Sequence, residues 1–192
     1  MTFPRLSVLL LAYVTASPAT TLYFWDQSAY LRNLPVDKYL SQGLLLANSA
    51  ATPQNTQWCI GDIPMPPPQF QMRQLVSCVT GPVTLTFTLV DPKKLGPMPA
   101  SAFVMTVTFR SLGVNGVYPQ EPWKISAFDA NHNLLEMQQG MTGVQNYEPR
   151  AQTFTFYRPE IYSVELVAPG VMTSTSIQSV HFDQYSLKVA KP

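Results

Sequence analysis

The sequence predicts an all-β protein, an antiparallel β-sandwich with jelly-roll topology, and three observations carry that reading. Apolar residues recur with period two, most plainly over 83–90 (VTLTFTLV), where Val83, Leu85, Phe87 and Leu89 fall on one face and Thr84, Thr86 and Thr88 on the other. Proline pairs cut the chain at short intervals, among them Asp91-Pro92, Gly96-Pro97, Tyr118-Pro119, Glu121-Pro122, Glu148-Pro149 and Arg158-Pro159. Proline cannot donate to a ladder, so these pairs mark loops and edges. The segments left between them are short and nearly regular in spacing, the signature of a sandwich or barrel, and no solenoid or propeller repeat is present.

The elements follow in order. Residues 1–19 read as an export signal: Arg5 supplies the basic start, 6–13 (LSVLLLAY) a short apolar stretch, and Ala16 or Ala19 a small residue to cleave after. The apolar run is shorter than the roughly 20 residues a bilayer needs, and no later stretch reads as a membrane span. Residues 20–192 then form a single sandwich domain. Strands are predicted at 22–26, 44–48, 56–60, 73–79, 83–90, 103–109, 123–128, 134–138, 152–157, 162–167, 177–182 and 185–189. In 103–109, Phe103, Met105, Val107 and Phe109 alternate against Val104, Thr106 and Thr108, so one side packs on a core and the other is wet.

Composition narrows the function classes. Twelve basic residues against eleven acidic ones give a net charge of +1, and removing Arg5 with the leader leaves eleven against eleven. A nucleic-acid binder would carry a basic stripe to collect phosphates, so that class is excluded as a partner. In the oxidising compartment that export implies, Cys59 and Cys78 are expected to form a disulfide. Closing that 19-position separation contributes about 3 kcal/mol on the chain-entropy model.

Several stretches together resemble a known family. Phe24-Trp25-Asp26, Leu34-Pro35, the run 39–43 (YLSQG) into a strand ending Ala47-Asn48, then 82–88 (PVTLTFT), 125–135 (ISAFDANHNLL) and 177–187 (IQSVHFDQYSL) occur in that order. They resemble the jelly-roll domains of secreted bacterial surface proteins, including those with PEP-CTERM sorting tails, which are similar in shape to carbohydrate-binding modules and galactose-binding-like domains. Two departures stand out: 190–192 (AKP) is not a sorting tail, and His132 stands where the turn usually carries glycine. Histidine takes a left-handed backbone less readily than glycine, so a different turn type is expected there.

The resemblance implies that the first and last strands lie side by side, often tied by a cation. Asp26 and Asp183 are therefore the candidate ligands of a structural calcium, with loop carbonyls near Gly43 completing an oxygen cage. The run 129–133 (DANHN) starts like a calcium loop. It lacks the glycine and glutamate such a loop needs, since Leu134 and Gly140 stand there, and a hairpin turn explains it. A glycan rim is the candidate ligand site. Sugar rings stack on flat aromatics, and amides and charged groups hold their hydroxyls. Tyr118, Trp123, Asn146, Tyr147 and Arg150, in segments 116–123 and 143–150, are the proposed lining, with Trp58, Tyr157 and Gln120 as further members. For catalysis, only His132 and His181 are available, and neither a G-x-S-x-G elbow nor an H-E-x-x-H helix accompanies them. The reading is thus a secreted, non-catalytic module for recognition or structure at a cell surface, with polysaccharide as the partner. A small glycan-active hydrolase and an assembly protein using an open strand edge are the alternatives.

Overall fold

The computed structural model describes residues 12–16, 19–24, 34–48, 54–55, 58–62, 73–78, 82–111, 119–142, 151–169 and 173–189. In chain order the strands are β1 (Ala12–Ala16), β2 (Thr20–Tyr23), β3 (Leu34–Pro35), β4 (Leu44–Asn48), β5 (Gln54–Asn55), β6 (Trp58–Asp62) and β7 (Arg73–Ser77). They continue as β8 (Val83–Leu89), β9 (Ala100–Ser111), β10 (Pro122–Phe128), β11 (Leu134–Met141), β12 (Ala151–Ile161), β13 (Ser163–Ala168) and β14 (Thr173–Val189). A 3-10 turn, Leu40–Gln42, precedes β4.

Two antiparallel sheets face each other. One runs β12-β9-β14-β7-β6, with β1 and β2 also paired to β14, and the other runs β11-β10-β13-β8-β4. From β8 onward the chain crosses between the two sheets at each connection except the β10–β11 hairpin. The period-two pattern explains the packing. Val83, Leu85, Phe87 and Leu89 of β8 are buried, as are Phe103, Met105, Val107 and Phe109 of β9, while the residues between them are largely half-buried on the outer faces. Phe103 joins the layers: its ring lies 5.7 Å from Phe87 of the opposite sheet and stacks at 6.4 Å on Phe182 of β14.

The predicted strands are recovered, with β6 at 58–62 rather than 56–60 and β9 and β11 longer than expected. Strands β3 and β5 are additional, as is β1, which lies inside the leader-like 1–19. Three further differences concern where strands end. The first strand of the domain stops at Tyr23 rather than at 26. The segments 177–182 and 185–189 are one strand, Thr173–Val189, which passes through Asp183 with register shifts at 177/179 and 182/184. Finally, β12 continues through Arg158-Pro159 to Ile161, because it is an edge strand where proline is tolerated. There the register shifts between Tyr157 and Ile161, and Glu160 takes a left-handed φ of 64°.

The hairpin between β10 and β11 is the Asp/Asn turn the sequence predicts. The Asp129 carboxylate accepts from the backbone N–H groups of Asn131 and Asn133 and from the Asn133 side-chain amide, all at 2.8–2.9 Å. These bonds, the Asn133 side chain first, hold the Asp129 carboxyl below the usual range. The turn keeps the left-handed position where glycine is usual, contrary to the expectation of another type. His132 sits there at φ 61°, its ring stacked 4.2 Å from Phe128.

The disulfide Cys59–Cys78 is formed, with 6.0 Å between the Cα atoms, and it staples the β6–β7 hairpin. Two glycines are required by close approach. Gly43, at φ 86°, leaves room for the buried Gln184, whose amide donates to the carbonyls of Val90 (3.0 Å) and Gly43 (3.4 Å). Gly140 of β11 pairs with Trp123, and a Cβ there would lie 2.6 Å from the indole. The indole cannot retreat, since Phe109 and Phe154 hold it at 5.6 and 4.8 Å. Gly140→Ala is therefore expected to destabilise by about 1–3 kcal/mol through overpacking, read as a lowered thermal midpoint.

Candidate functional site

The outer face of the seven-stranded sheet gathers polar and aromatic groups from four strands. Strand alternation sends Phe154 and Phe156 inward and leaves Thr153, Thr155 and Tyr157 outward on β12. The same rule puts Val104 and Thr106 outward on β9, Ser179, His181 and Asp183 on β14, and Thr21 and Tyr23 on β2. Register then fixes the rows. Thr153, Thr106, Ser179 and Tyr23 lie side by side, and Thr155, Val104, His181 and Thr21 form the next row. Tyr157, beside Ala102, begins a third, which Asp183 continues from the β14 bulge.

Two features of this face matter chemically. Tyr23 and Tyr157 are 64% and 72% exposed, an unusual state for large aromatic side chains, and they occupy opposite corners. Three strand spacings and several residues separate them, about 20 Å along the diagonal. Between them, His181 has a polar neighbour at each ring nitrogen: Nδ1 is hydrogen-bonded to Thr21 Oγ1 at 2.8 Å and Nε2 lies 3.2 Å from Asp183 Oδ1.

A hydroxyl, an imidazole and a carboxylate in line invite comparison with a hydrolytic triad. Among the described residues no oxyanion hole is seen beside it. His181 lies in the middle of the sheet, where β14 pairs with β9 on one side and β2 on the other. Its neighbouring amides are committed to those ladders and cannot converge on a developing negative charge. The arrangement can orient and polarise a hydroxyl.

The sequence-derived candidates are placed as follows. Asp26, Tyr118, Asn146, Tyr147 and Arg150 lie outside the described residues. Trp58 is not a rim residue but a fully buried core side chain. Trp123 is half-buried, its indole packed between Phe109 and Phe154 at the margin of the core. Asp183 pairs with His181 on the outer face. The carbonyl of Gly43 is occupied by the Val90 N–H at 3.0 Å and by Gln184, the residue next to Asp183. Among the described residues no three His, Cys, Asp or Glu side chains are grouped to hold a metal ion. No described helix is long and apolar enough to cross a membrane.

The face itself is what sequence reasoning missed. Thr21 and His181 are 160 positions apart, so only the pairing of β2 with β14 brings them together. The usable signal was alternation: Thr153, Thr155 and Tyr157 share a parity opposite to Phe154 and Phe156. A second tyrosine cluster lies at the end of the sandwich where β12 finishes. The Glu160 N–H donates to the Tyr185 hydroxyl at 3.0 Å, and burial, then Glu160 and Tyr185, push the Tyr162 hydroxyl up. On the other sheet, Leu134, Met137 and Met141 are exposed along the edge strand β11.

No protein-family model and no curated protein matches the chain. Among solved structures it is similar to an arabinose-bound MgGH51 α-L-arabinofuranosidase, at 10% identity and a TM-score of 0.49, over 84% of this chain and 25% of that one. The chain thus spans a quarter of that glycosidase's length. It is also similar to the K1 cleaved adhesin domain of the Lys-gingipain of Porphyromonas gingivalis W83, at 11% identity and a TM-score of 0.43, over 91% of this chain and 100% of that one. A third likeness is to the CBM22-1 xylan-binding domain of Paenibacillus barcinonensis Xyn10C, at 9% identity and a TM-score of 0.34, over 90% and 94% of the two chains. These likenesses concern the fold; function is a matter of the chain's own surface.

Proposed function

We propose that this chain is an exported, non-catalytic recognition module that binds polysaccharide along the outer face of its seven-stranded sheet. The carrying observation is the pair of exposed tyrosines, Tyr23 and Tyr157, at opposite corners of a strip of hydroxyls. Flat rings at the two ends offer stacking surfaces to sugars, and Thr21, Thr106, Thr153, Thr155 and Ser179 offer hydrogen-bond partners between them. The strip matches the length of a short oligosaccharide segment. Export is supported by the leader-like 1–19 and by the disulfide, which persists in an oxidising compartment.

The test is affinity electrophoresis against soluble galactomannan, xyloglucan, arabinoxylan, dextran and polygalacturonate. At least one neutral polymer is expected to retard the protein. Tyr23→Ala and Tyr157→Ala are each expected to weaken that retardation about tenfold, as the loss of an aromatic anchor does. Lys124→Ala, exposed on the opposite sheet, serves as the control and is expected to change nothing. Retardation unaffected by either tyrosine change would place binding elsewhere.

A further inference from the structure

We infer that Thr21, His181 and Asp183 set the hydrogen-bond polarity of the proposed binding face, so that at neutral pH it takes sugars presenting donors and rejects anionic ones. This deepens the polysaccharide reading and rests on it for the ligand.

Proton placement around one imidazole decides that polarity. Asp183 Oδ1 lies 3.2 Å from His181 Nε2, and an ionised carboxylate at that distance repels a ring lone pair, which favours the neutral tautomer with its proton on Nε2. Nδ1 then carries a lone pair, and the Thr21 hydroxyl 2.8 Å away donates to it. The Thr21 proton is thereby committed inside the cluster. Toward solvent the group shows the lone pairs of Thr21 Oγ1 and of the Asp183 carboxylate, acceptors only, with one negative charge. Sugar hydroxyls and the ammonium of an amino sugar fit this anchor. A uronate or sulfate brings acceptors and a like charge, and is disfavoured.

Protonation reverses the polarity. In the imidazolium both nitrogens are donors, so Nδ1–H donates to Thr21 Oγ1 and the threonine proton is released to point at the ligand. The charge of Asp183 is then offset by the ring beside it. Among the described residues facing His181, β9 presents Val104 with Ala102 and Thr106 on either side, β2 presents Thr21 and Tyr23, β14 adds Ser179, and β12 beyond β9 presents Thr155 and Tyr157. Asp183 is the one acid in that set, so no second charge blurs the effect.

The test has a ligand-free arm and a ligand arm. Nitrogen-15 correlation spectra of the imidazole rings at pH 7.5 are expected to show His181 as the Nε2–H tautomer, and Asp183→Asn, whose amide can also donate, to weaken that preference. A dominant Nδ1–H tautomer in the wild-type protein would overturn the inference whatever the glycan results. In the ligand arm, preference for the retained neutral polymer over polygalacturonate is expected to be at least about tenfold at pH 7.5 and to narrow by a similar factor at pH 5. In His181→Gln the preference is expected not to change with pH. A preference equally pH-dependent in that variant would sink the inference while leaving the tyrosine-based reading intact. Conversely, if no polymer binds, the polysaccharide reading fails and the tautomer still decides the polarity of the cluster.

Discussion

Phe103→Ala is expected to lower stability by about 3–5 kcal/mol. The ring is fully buried at the junction of the two layers, against Phe87 from the five-stranded sheet and Phe182 from the seven-stranded one. Truncation removes its transfer energy and leaves a cavity that two sheets, each fixed by its own ladders, cannot close. At about 2–4 °C per kcal/mol for a domain of this size, the thermal midpoint should fall by roughly 6–20 °C. Phe103→Leu refills most of the space and is expected to recover a large share of the loss. A fall of under 1 kcal/mol for the alanine variant in denaturant titration would mean that the layers do not meet there.

Replacing both Cys59 and Cys78 by alanine is expected to cost about 3 kcal/mol, the entropy of an unfolded chain freed from a closed loop. The location of that loss is as informative as its size. The disulfide closes the β6–β7 hairpin on itself. Among the described residues the hairpin joins the sheet over a short ladder, where Val76 and Leu75 meet Ser176 and Ile177 of β14, with the Thr175 N–H donating to Ser77 Oγ at 3.4 Å. Without the covalent link, amide exchange should rise first in β6 and β7, ahead of β9 and the centre of β14. The tyrosine-bearing face uses β2, β9, β12 and β14, so polysaccharide retardation at 20 °C should persist in the double variant. Exchange that rises uniformly over both sheets would show that the hairpin is not an independent unit.

Much of this architecture can be read in the sequence, and the exceptions have physical causes. The strand predicted over 44–48 is β4 to the residue, a short apolar run starting right after Gly43, and 83–90 overshoots β8 by only one because a one-sided strand writes its burial directly as alternation. Where polar or proline residues sit on an outer face or an edge, that code is silent. Asp183 reads as an interruption, yet on a wet face an acid is compatible with an unbroken β14. Arg158-Pro159 reads as a turn, yet an edge strand spares the missing N–H. The candidate site was less legible. Trp58 and Trp123 carry the same chemistry as Tyr23 and Tyr157, and only the fold buries the first pair, wholly or partially, and exposes the second. Likewise, His181 has an evident partner two residues away in Asp183, but Thr21 becomes its neighbour only through sheet order.

One edge of β14 is lined by β7 and β2, at residues 176–177 and 179–182 respectively. Strand β1, which pairs at 185–189, lies within the leader-like 1–19 and leaves with it on cleavage. Because β2 runs antiparallel to β14, tension applied upstream of Thr20 and downstream of Val189 pulls the two partners from the same end. The bonds then break in succession, like a zipper, instead of sharing the load as they would in shear. The peel reaches Thr20 and Thr21 before any aromatic ring of the core is disturbed, so the grip on a glycan would slacken under stretch while the body of the domain stayed closed.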